Sequence, residues 1–76
     1  MYIYSRIRDL REDCDLTQTD IAKVLNTTQP QYSRWERGAQ EIPFHMVIQL
    51  SKFYKVSLDY IAGLTNNKGG ESKKRV

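Results

Sequence analysis

Apolar residues recur at helical spacing along most of the chain, and polar residues divide this pattern into short segments. Near the start, Ile3, Ile7, Leu10 and Cys14 lie three or four positions apart, with charged residues between them. This spacing places apolar side chains on one face of an amphipathic helix. It predicts a first helix over about residues 3–14, with Cys14 as a core or boundary thiol.

A capping signal marks the start of a second helix. Thr17 followed three residues later by Asp20 is a variant of the capping box. The helix is expected to run to about Leu25 and to end at Asn26, because asparagine tolerates the left-handed conformation of a sharp turn. Its inward side chains are predicted to be Ile21, Val24 and Leu25, with Ala22 at a close helix contact.

A second capping pattern, Thr28 with Gln31, predicts a third helix over about residues 29–37. Pro30 falls in its first turn, where a missing N–H costs little. Only two residues separate the second helix from this cap. The inward side chains are predicted to be Tyr32 and Trp35.

Two further helices follow. Pro43 indicates an extended entry into a fourth helix, and Ser57 is the expected cap of a fifth helix that Gly63 ends. No strand pattern occurs, so the predicted fold is all-α with five short helices. The predicted inward residues are Phe44, Val47, Ile48, Leu50, Ser51, Phe53 and Tyr54 in the fourth helix, and Leu58, Ile61 and Ala62 in the fifth.

The charge of the chain is concentrated at its end. The formal net charge is +3 over 76 residues, and the cluster Lys73, Lys74 and Arg75 supplies much of it, since the preceding body balances acids and bases. Residues 66–76 lack apolar periodicity and predict a disordered basic tail after a single domain at residues 1–65. Such a tail is either a DNA-tracking arm or simply a solvated end.

Composition also excludes several classes of protein. Cys14 is the only cysteine and His45 the only histidine, so neither a disulfide nor a Cys/His metal site is expected. There is no glycine-rich phosphate loop, no nucleophile with a histidine partner, no signal peptide and no membrane-spanning run. These absences predict a cytoplasmic protein that is not an enzyme and has no metal or cofactor.

Three motifs resemble one family of DNA-binding domains. Leu16–Ala22 reads LTQTDIA, Ser33–Gly38 reads SRWERG, and Val56–Gly63 reads VSLDYIAG. They are similar to the LTQ-x-x-(L/I)-A, S-R-W-E-x-G and V-S-(L/V)-D-Y-L-x-G motifs of the Cro/cI-type (Xre-like) helix-turn-helix family. The resemblance covers about residues 3–65 and implies a lambda-repressor-like fold with the helix-turn-helix at residues 18–37.

In that family the third helix enters the major groove of DNA while the second crosses the backbone. The resemblance, together with the outward positions on the third helix, assigns base reading to Gln29, Pro30, Gln31 and Arg34. It assigns phosphate binding to Gln18, and Thr17, Thr28, Arg37 and Gln40 are additional candidates for phosphate contacts. It also matches Arg11 and Glu36 to a buried ion pair that ties the first helix to the third.

Some of these assignments have a plain structural alternative. Gln31 either caps Thr28 or touches DNA, and Gln18, Gln29 and Arg34 would otherwise be ordinary solvated residues. Pro30 departs from the polar residue usual in the family. Because proline has no N–H, Pro30 could only touch a thymine methyl group or shape the groove contact.

The function that follows is a sequence-specific transcriptional regulator of bacterial or phage origin, expected to repress from a palindromic operator in double-stranded DNA as a homodimer. The alternative is an antitoxin or accessory module that uses the same fold to hold a protein partner. Tyr60, Ile61 and Leu64 of the fifth helix are the candidate dimer contact, although they could equally belong to the core.

Overall fold

Five α-helices follow one another in the computed structural model, which describes residues 4–68. They are α1 (Ser5–Asp13), α2 (Gln18–Val24), α3 (Gln29–Glu36), α4 (Phe44–Tyr54) and α5 (Leu58–Ala62). No strand occurs among these residues, so the prediction of an all-α fold with five short helices is confirmed. None of the helices there combines the length and hydropathy needed to cross a membrane.

Side-chain caps begin three of the helices, at the residues that the sequence indicates. The Thr17 hydroxyl accepts from the backbone N–H of Asp20 at 3.0 Å, and the Asp20 carboxylate accepts from the N–H of Thr17 at 2.9 Å, which completes the capping box. Thr28 caps α3 and Ser57 caps α5 in the same way. Each cap satisfies a backbone donor that the helix itself leaves free.

The α3 cap is only half of the predicted box. The Thr28 hydroxyl accepts from the N–H of Gln31 at 3.3 Å, but the Gln31 side chain does not return to Thr28. It donates instead to Gln40, in the loop after α3. The prediction of a reciprocal capping box at Thr28 is therefore wrong, because the Gln31 side-chain oxygen, which would have to accept from the Thr28 N–H, accepts from Arg34 instead.

All five helices and their connections bury apolar side chains in one core. Tyr32, Ile7, Ile21, Leu25, Leu50 and Ile61 are its largest fully buried members. Burying one large apolar side chain contributes roughly 1.5–3 kcal/mol. The other buried apolar residues are Leu10, Ala22, Trp35, Ile42, Val47 and Val56.

Four side chains predicted to face inward are exposed, namely Cys14, Val24, Phe44 and Phe53. Cys14 follows the last residue of α1, and the left-handed Asp15 turns the chain away before the apolar stripe can continue. Phe44 is the first residue of α4 and is 62% exposed, whereas Ile42 and Val47 on either side of it in the sequence are buried. These short helices thus carry more apolar residues around their circumference than their core-facing sides can bury.

The three residues of the candidate dimer contact lie in different environments. Ile61 is 1% exposed and belongs to the core, so its assignment to a dimer surface is wrong. Leu64 is 78% exposed. Tyr60 is partly buried, with the Arg6 guanidinium 4.2 Å from the centre of its ring.

Arg6 also holds the chain beyond α5. Its Nη1 donates to the carbonyl oxygens of Tyr60 at 3.1 Å and Thr65 at 2.6 Å, and its Nη2 donates to Oδ1 of Asn66 at 2.8 Å. The backbone N–H of Ser57 donates to the carbonyl of Lys68 at 2.7 Å. Residues 66–68, assigned from sequence to a disordered tail, are thus bonded to the body. The rest of that predicted tail, 69–76, lies outside the described residues, as does Ile3.

Candidate nucleic-acid interface

A tight turn joins α2 to α3. Asn26 adopts the left-handed conformation with φ of 59°, as its position at the end of α2 predicts. The backbone N–H of Thr27 reaches back to the carbonyl of Ala22 at 2.8 Å, and Thr28 then caps the next helix. Two short helices that pack together across such a turn have the helix-turn-helix geometry.

The two faces of α3 differ in chemistry. Tyr32, Trp35 and Glu36 are buried against the body. The opposite side presents the predicted base-reading residues: Gln29, Pro30 and Arg34 are exposed and Gln31 is partly buried. This side of α3 therefore carries side-chain donors and acceptors at the surface, and the structure brings all four residues to one helix.

A chain of hydrogen bonds, the inner network, runs from the buried Glu36 to the surface. Nε2 of Gln18 donates to Oε1 of Glu36 at 3.0 Å, and Oε1 of Gln18 accepts from Nε2 of Gln29 at 2.7 Å. A carboxylate can only accept, so the Gln18 amide must turn its nitrogen toward Glu36 and its oxygen toward Gln29. This orientation makes the Gln29 nitrogen the donor to Gln18 and leaves the Gln29 side-chain oxygen without a partner among residues 4–68.

A second set of contacts, the outer network, lies farther along α3. Nη1 of Arg34 donates to Oε1 of Gln31 at 3.2 Å, and Nε2 of Gln31 donates to Oε1 of Gln40 at 2.6 Å. Gln31 thus links a predicted base-reading arginine to a predicted phosphate contact. Of the two roles that the sequence leaves open for Gln31, the side chain does not take the capping one.

Glu36 anchors the inner network through an ion pair with Arg11. Nε of Arg11 lies 2.9 Å from Oε2 and its Nη2 lies 3.0 Å from Oε1, a bidentate arrangement, and Tyr32 donates to Oε2 at 2.8 Å. Nη1 of Arg11 also donates to the carbonyl of Leu16 at 2.8 Å. Paired donors of this kind are stronger than single neutral hydrogen bonds. The pair therefore ties α1 to α3 and to the start of the helix-turn-helix.

The surroundings of Glu36 shift three pKa values. Burial tends to raise the pKa of Glu36, but the hydrogen bonds from Arg11, Gln18 and Tyr32 outweigh it and hold that pKa below its usual value. The bond to Glu36 raises the pKa of Arg11. Burial, assisted by the bond to Glu36, raises the pKa of Tyr32. The cluster is thus a charged Arg–Glu pair with a neutral tyrosine.

The predicted phosphate contacts divide into two groups. The hydroxyl oxygens of Thr17 and Thr28 accept in their caps. Because the backbone N–H of Thr17 is committed to Asp20, Thr17 retains only its hydroxyl hydrogen as a donor. Hydrogen bonding to Thr17 holds the pKa of Asp20 below its usual value. Arg37 is exposed, and its side chain makes no hydrogen bond or ion pair within the described part of the chain.

A polar cleft between α1 and the helix-turn-helix contains Arg8, a residue that no sequence motif indicated. The cleft has a volume of about 270 Å³ and is lined by Arg8, Arg11, Glu12, Gln18, Ser33, Glu36 and Arg37. The available signal was the spacing of Arg8 and Arg11, since residues three apart share a helix face. No group of three potential metal ligands occurs among residues 4–68.

Comparisons with known proteins identify relatives over most of the chain. The profile of the family Helix-turn-helix (HTH_3) matches residues 7–61. An uncharacterized HTH-type transcriptional regulator of Bacillus subtilis, YobD, is 32% identical over 62 residues, which are 82% of this chain and 55% of the relative. No solved structure matches the chain significantly.

Two other relatives carry more specific names. The cryptic phage CTXphi transcriptional repressor RstR of Vibrio cholerae is 37% identical over 54 residues, 71% of this chain and 49% of RstR. The HTH-type transcriptional regulator ImmR of Bacillus subtilis is 30% identical over 63 residues, 83% of this chain and 50% of ImmR. The chain spans about half the length of these relatives. Its motifs, its five helices and the matched profile together show that the chain belongs to the Cro/cI-type helix-turn-helix family, HTH_3.

Proposed function

We propose that this chain binds double-stranded DNA through α3 and regulates transcription, most simply as a repressor. The observation that carries the proposal is the exposed side of α3, where hydrogen-bonding side chains are held in place by the inner and outer networks. Side-chain amides and guanidinium groups of this type match the donors and acceptors of base edges in the major groove. The transcriptional regulators and the repressor among its relatives support the same conclusion.

Each base-reading residue suits a particular base. Gln29 offers a free carbonyl oxygen and an N–H, the pair that matches N6 and N7 of adenine. Arg34 can bridge O6 and N7 of guanine if it leaves Gln31, and Gln31 can then also turn to the DNA. Pro30 has no donor, so its role is an apolar contact with a thymine methyl group.

The surrounding residues would set the position of the domain on the duplex by binding phosphates. The second N–H of the Gln18 amide remains available after the first is given to Glu36. Arg37 is exposed and unpaired within residues 4–68, and Gln40 lies at the end of the outer network. The hydroxyl hydrogens of Thr17 and Thr28 complete the set.

We further propose that two copies bind together. A single recognition helix reads few base pairs, whereas specific protein–DNA complexes generally bury ~1,000 Å² or more of protein surface. A dimer would place two α3 helices about 34 Å apart on a palindromic operator. DNA as the partner would place the working protein inside the cell.

Selection of bound sequences from a random duplex library at ~0.15 M salt tests the proposal, because that salt concentration suppresses purely electrostatic binding. We expect an enriched palindrome whose half-sites lie about one helical turn apart. An enriched single half-site would retain DNA reading and reject the dimer. A folded protein that enriches nothing would reject DNA reading and favour the protein-interaction alternative.

Two variants then separate the assigned roles. Arg34→Ala should weaken binding by roughly 1–3 kcal/mol and relax preference at one base position, whereas Arg37→Ala should weaken binding to all sequences alike. Lys52→Ala is the control, since Lys52 is an exposed residue of α4 outside both networks and the cleft. A uniform loss for Arg34→Ala would make Arg34 a phosphate contact instead.

A further inference from the structure

We infer that Arg8 of α1 is an additional phosphate contact, so that the DNA-binding surface extends from the helix-turn-helix onto the first helix. The inference rests on the proposed function and adds to it a site formed by two helices that are separate in sequence. The site is the polar cleft described above, in which Arg8 and Arg37 line the same space as Gln18. Its ligand is a phosphodiester group of the DNA backbone.

The three arginines of the cleft are not equivalent. Arg11 is committed to Glu36 by two hydrogen bonds and its side chain is only 13% exposed. Arg37 is exposed and its side chain has no partner within the described residues. Arg8 is exposed, and its guanidinium Nε lies 3.1 Å from Oε2 of Glu12. Two of the three guanidinium groups can therefore turn toward an incoming anion.

The pair between Arg8 and Glu12 is weak enough to exchange. Its two side chains are 65% and 52% exposed, and an ion pair in such surroundings contributes little to stability because water and salt screen it. A phosphate offers Arg8 the same kind of oxygen acceptors, and binding it releases counterions from the DNA. Glu12 then acts against binding, because its carboxylate repels the phosphate and competes for Arg8.

The size and position of the cleft suit a phosphate of the backbone. A volume of about 270 Å³ corresponds to several water molecules at roughly 30 Å³ each, so a hydrated phosphodiester fits. Gln18, which also lines the cleft, is bonded to Gln29 on the exposed side of α3. A phosphate held between Arg8 and Arg37 would therefore lie beside the residues proposed to read the bases.

The experiment measures affinity for the selected operator and for an unrelated duplex, each across a range of salt concentrations. Arg8→Gln should weaken binding to both duplexes by about tenfold and reduce the slope of log affinity against log salt by about 1. Glu12→Gln should strengthen binding to both by about twofold to fivefold. Lys52→Gln is the charge-matched control and should change neither quantity by a comparable amount.

The outcomes separate this inference from the proposed function. Wild-type affinity and salt slope for Arg8→Gln, with the operator still bound specifically, would overturn the inference and leave the function intact. A changed sequence preference in Arg8→Gln would also overturn it, because a phosphate contact carries no base information. Failure of the folded wild-type protein to bind either duplex would reject the proposed function itself. Circular dichroism melting curves of Arg8→Gln that match the wild type would show that the loss of affinity is not a loss of folding.

Discussion

Replacing Glu36 with alanine should destabilise the domain more than any exposed charge change. The Glu36 side chain is 4% exposed and accepts from Arg11, Gln18 and Tyr32. Its removal leaves the Arg11 side chain, only 13% exposed, with the exposed Glu12 carboxylate at 4.0 Å as its remaining countercharge. Removing one partner of a buried pair costs up to about 3–5 kcal/mol, since the other charge loses its close hydrogen-bonded partner.

That cost is large for a chain of this size. Globular proteins are stable by roughly 0.05–0.15 kcal/mol per residue, which gives about 4–11 kcal/mol for a chain of 76 residues. Glu36→Ala should therefore remove from about a quarter to all of the free energy of unfolding. The matched control is Glu12→Ala, whose exposed pairs with Arg8 at 3.1 Å and with Arg11 at 4.0 Å should together cost no more than about 1 kcal/mol.

Urea denaturation followed by the fluorescence of Trp35 measures both losses, because Trp35 is the only tryptophan and is buried beside Glu36 in the sequence of α3. A double variant, Arg11→Met with Glu36→Leu, should recover much of the loss by removing the unpaired charge. If Glu36→Ala shifted the midpoint no further than Glu12→Ala, the pair would not be buried as described.

Two further predictions concern the chain end and pH. Ending the chain after Lys68 should leave the melting temperature unchanged. Ending it after Leu64 removes two acceptors of Arg6 and should lower the free energy of unfolding by about 1–3 kcal/mol. Equal melting temperatures for the two truncated chains would contradict a stabilising role of these Arg6 contacts. Burial raises the pKa of both Tyr32 and Tyr54. The free energy of unfolding should therefore be at its full value below about pH 10 and fall above it, because these tyrosines ionise more readily in the unfolded chain. A urea midpoint that stays constant from about pH 9 to about pH 11 would argue against that burial.

Local signals predicted the helices well because their determinants are local. The Thr17 capping box, the left-handed Asn26 and the Ser57 cap involve residues at most four apart, and each occurs in the structure. The errors arose where the outcome depends on distant neighbours. Phe44 has helical spacing to the buried Val47 and is nevertheless 62% exposed, because spacing does not tell how the end of a helix packs against the rest of the chain.

The long-range contacts of the C-terminal segment show the same limit. Arg6 binds the carbonyl of Thr65 and the side chain of Asn66, residues 59 and 60 positions away. Composition alone indicated a polar, aperiodic tail, and composition does not reveal a distant arginine that binds backbone carbonyls. The start of this segment is therefore ordered by α1 rather than by any periodicity of its own.

The sequence predicted most residues of the candidate site but not the hydrogen bonds that connect them. Motif resemblance placed Gln18, Gln29 and Glu36 in three different roles, whereas the structure joins them in one hydrogen-bonded network. Arg8 was missed because its spacing from Arg11 shows only that the two residues share a helix face, and not that this face borders α3. Its neighbourhood emerges only when α1 packs against α3.

The separation of the two networks has a consequence for how binding preferences can diverge. Gln29 is connected through Gln18 to the ion pair that holds the fold, so a new side chain there also alters the support of a buried charge. Gln31 and Arg34 belong to the outer network, which does not touch that pair. Under the proposed function, substitutions at positions 31 and 34 would therefore change the preferred DNA sequence with little loss of stability. A substitution at position 29 would also lower the stability of the fold.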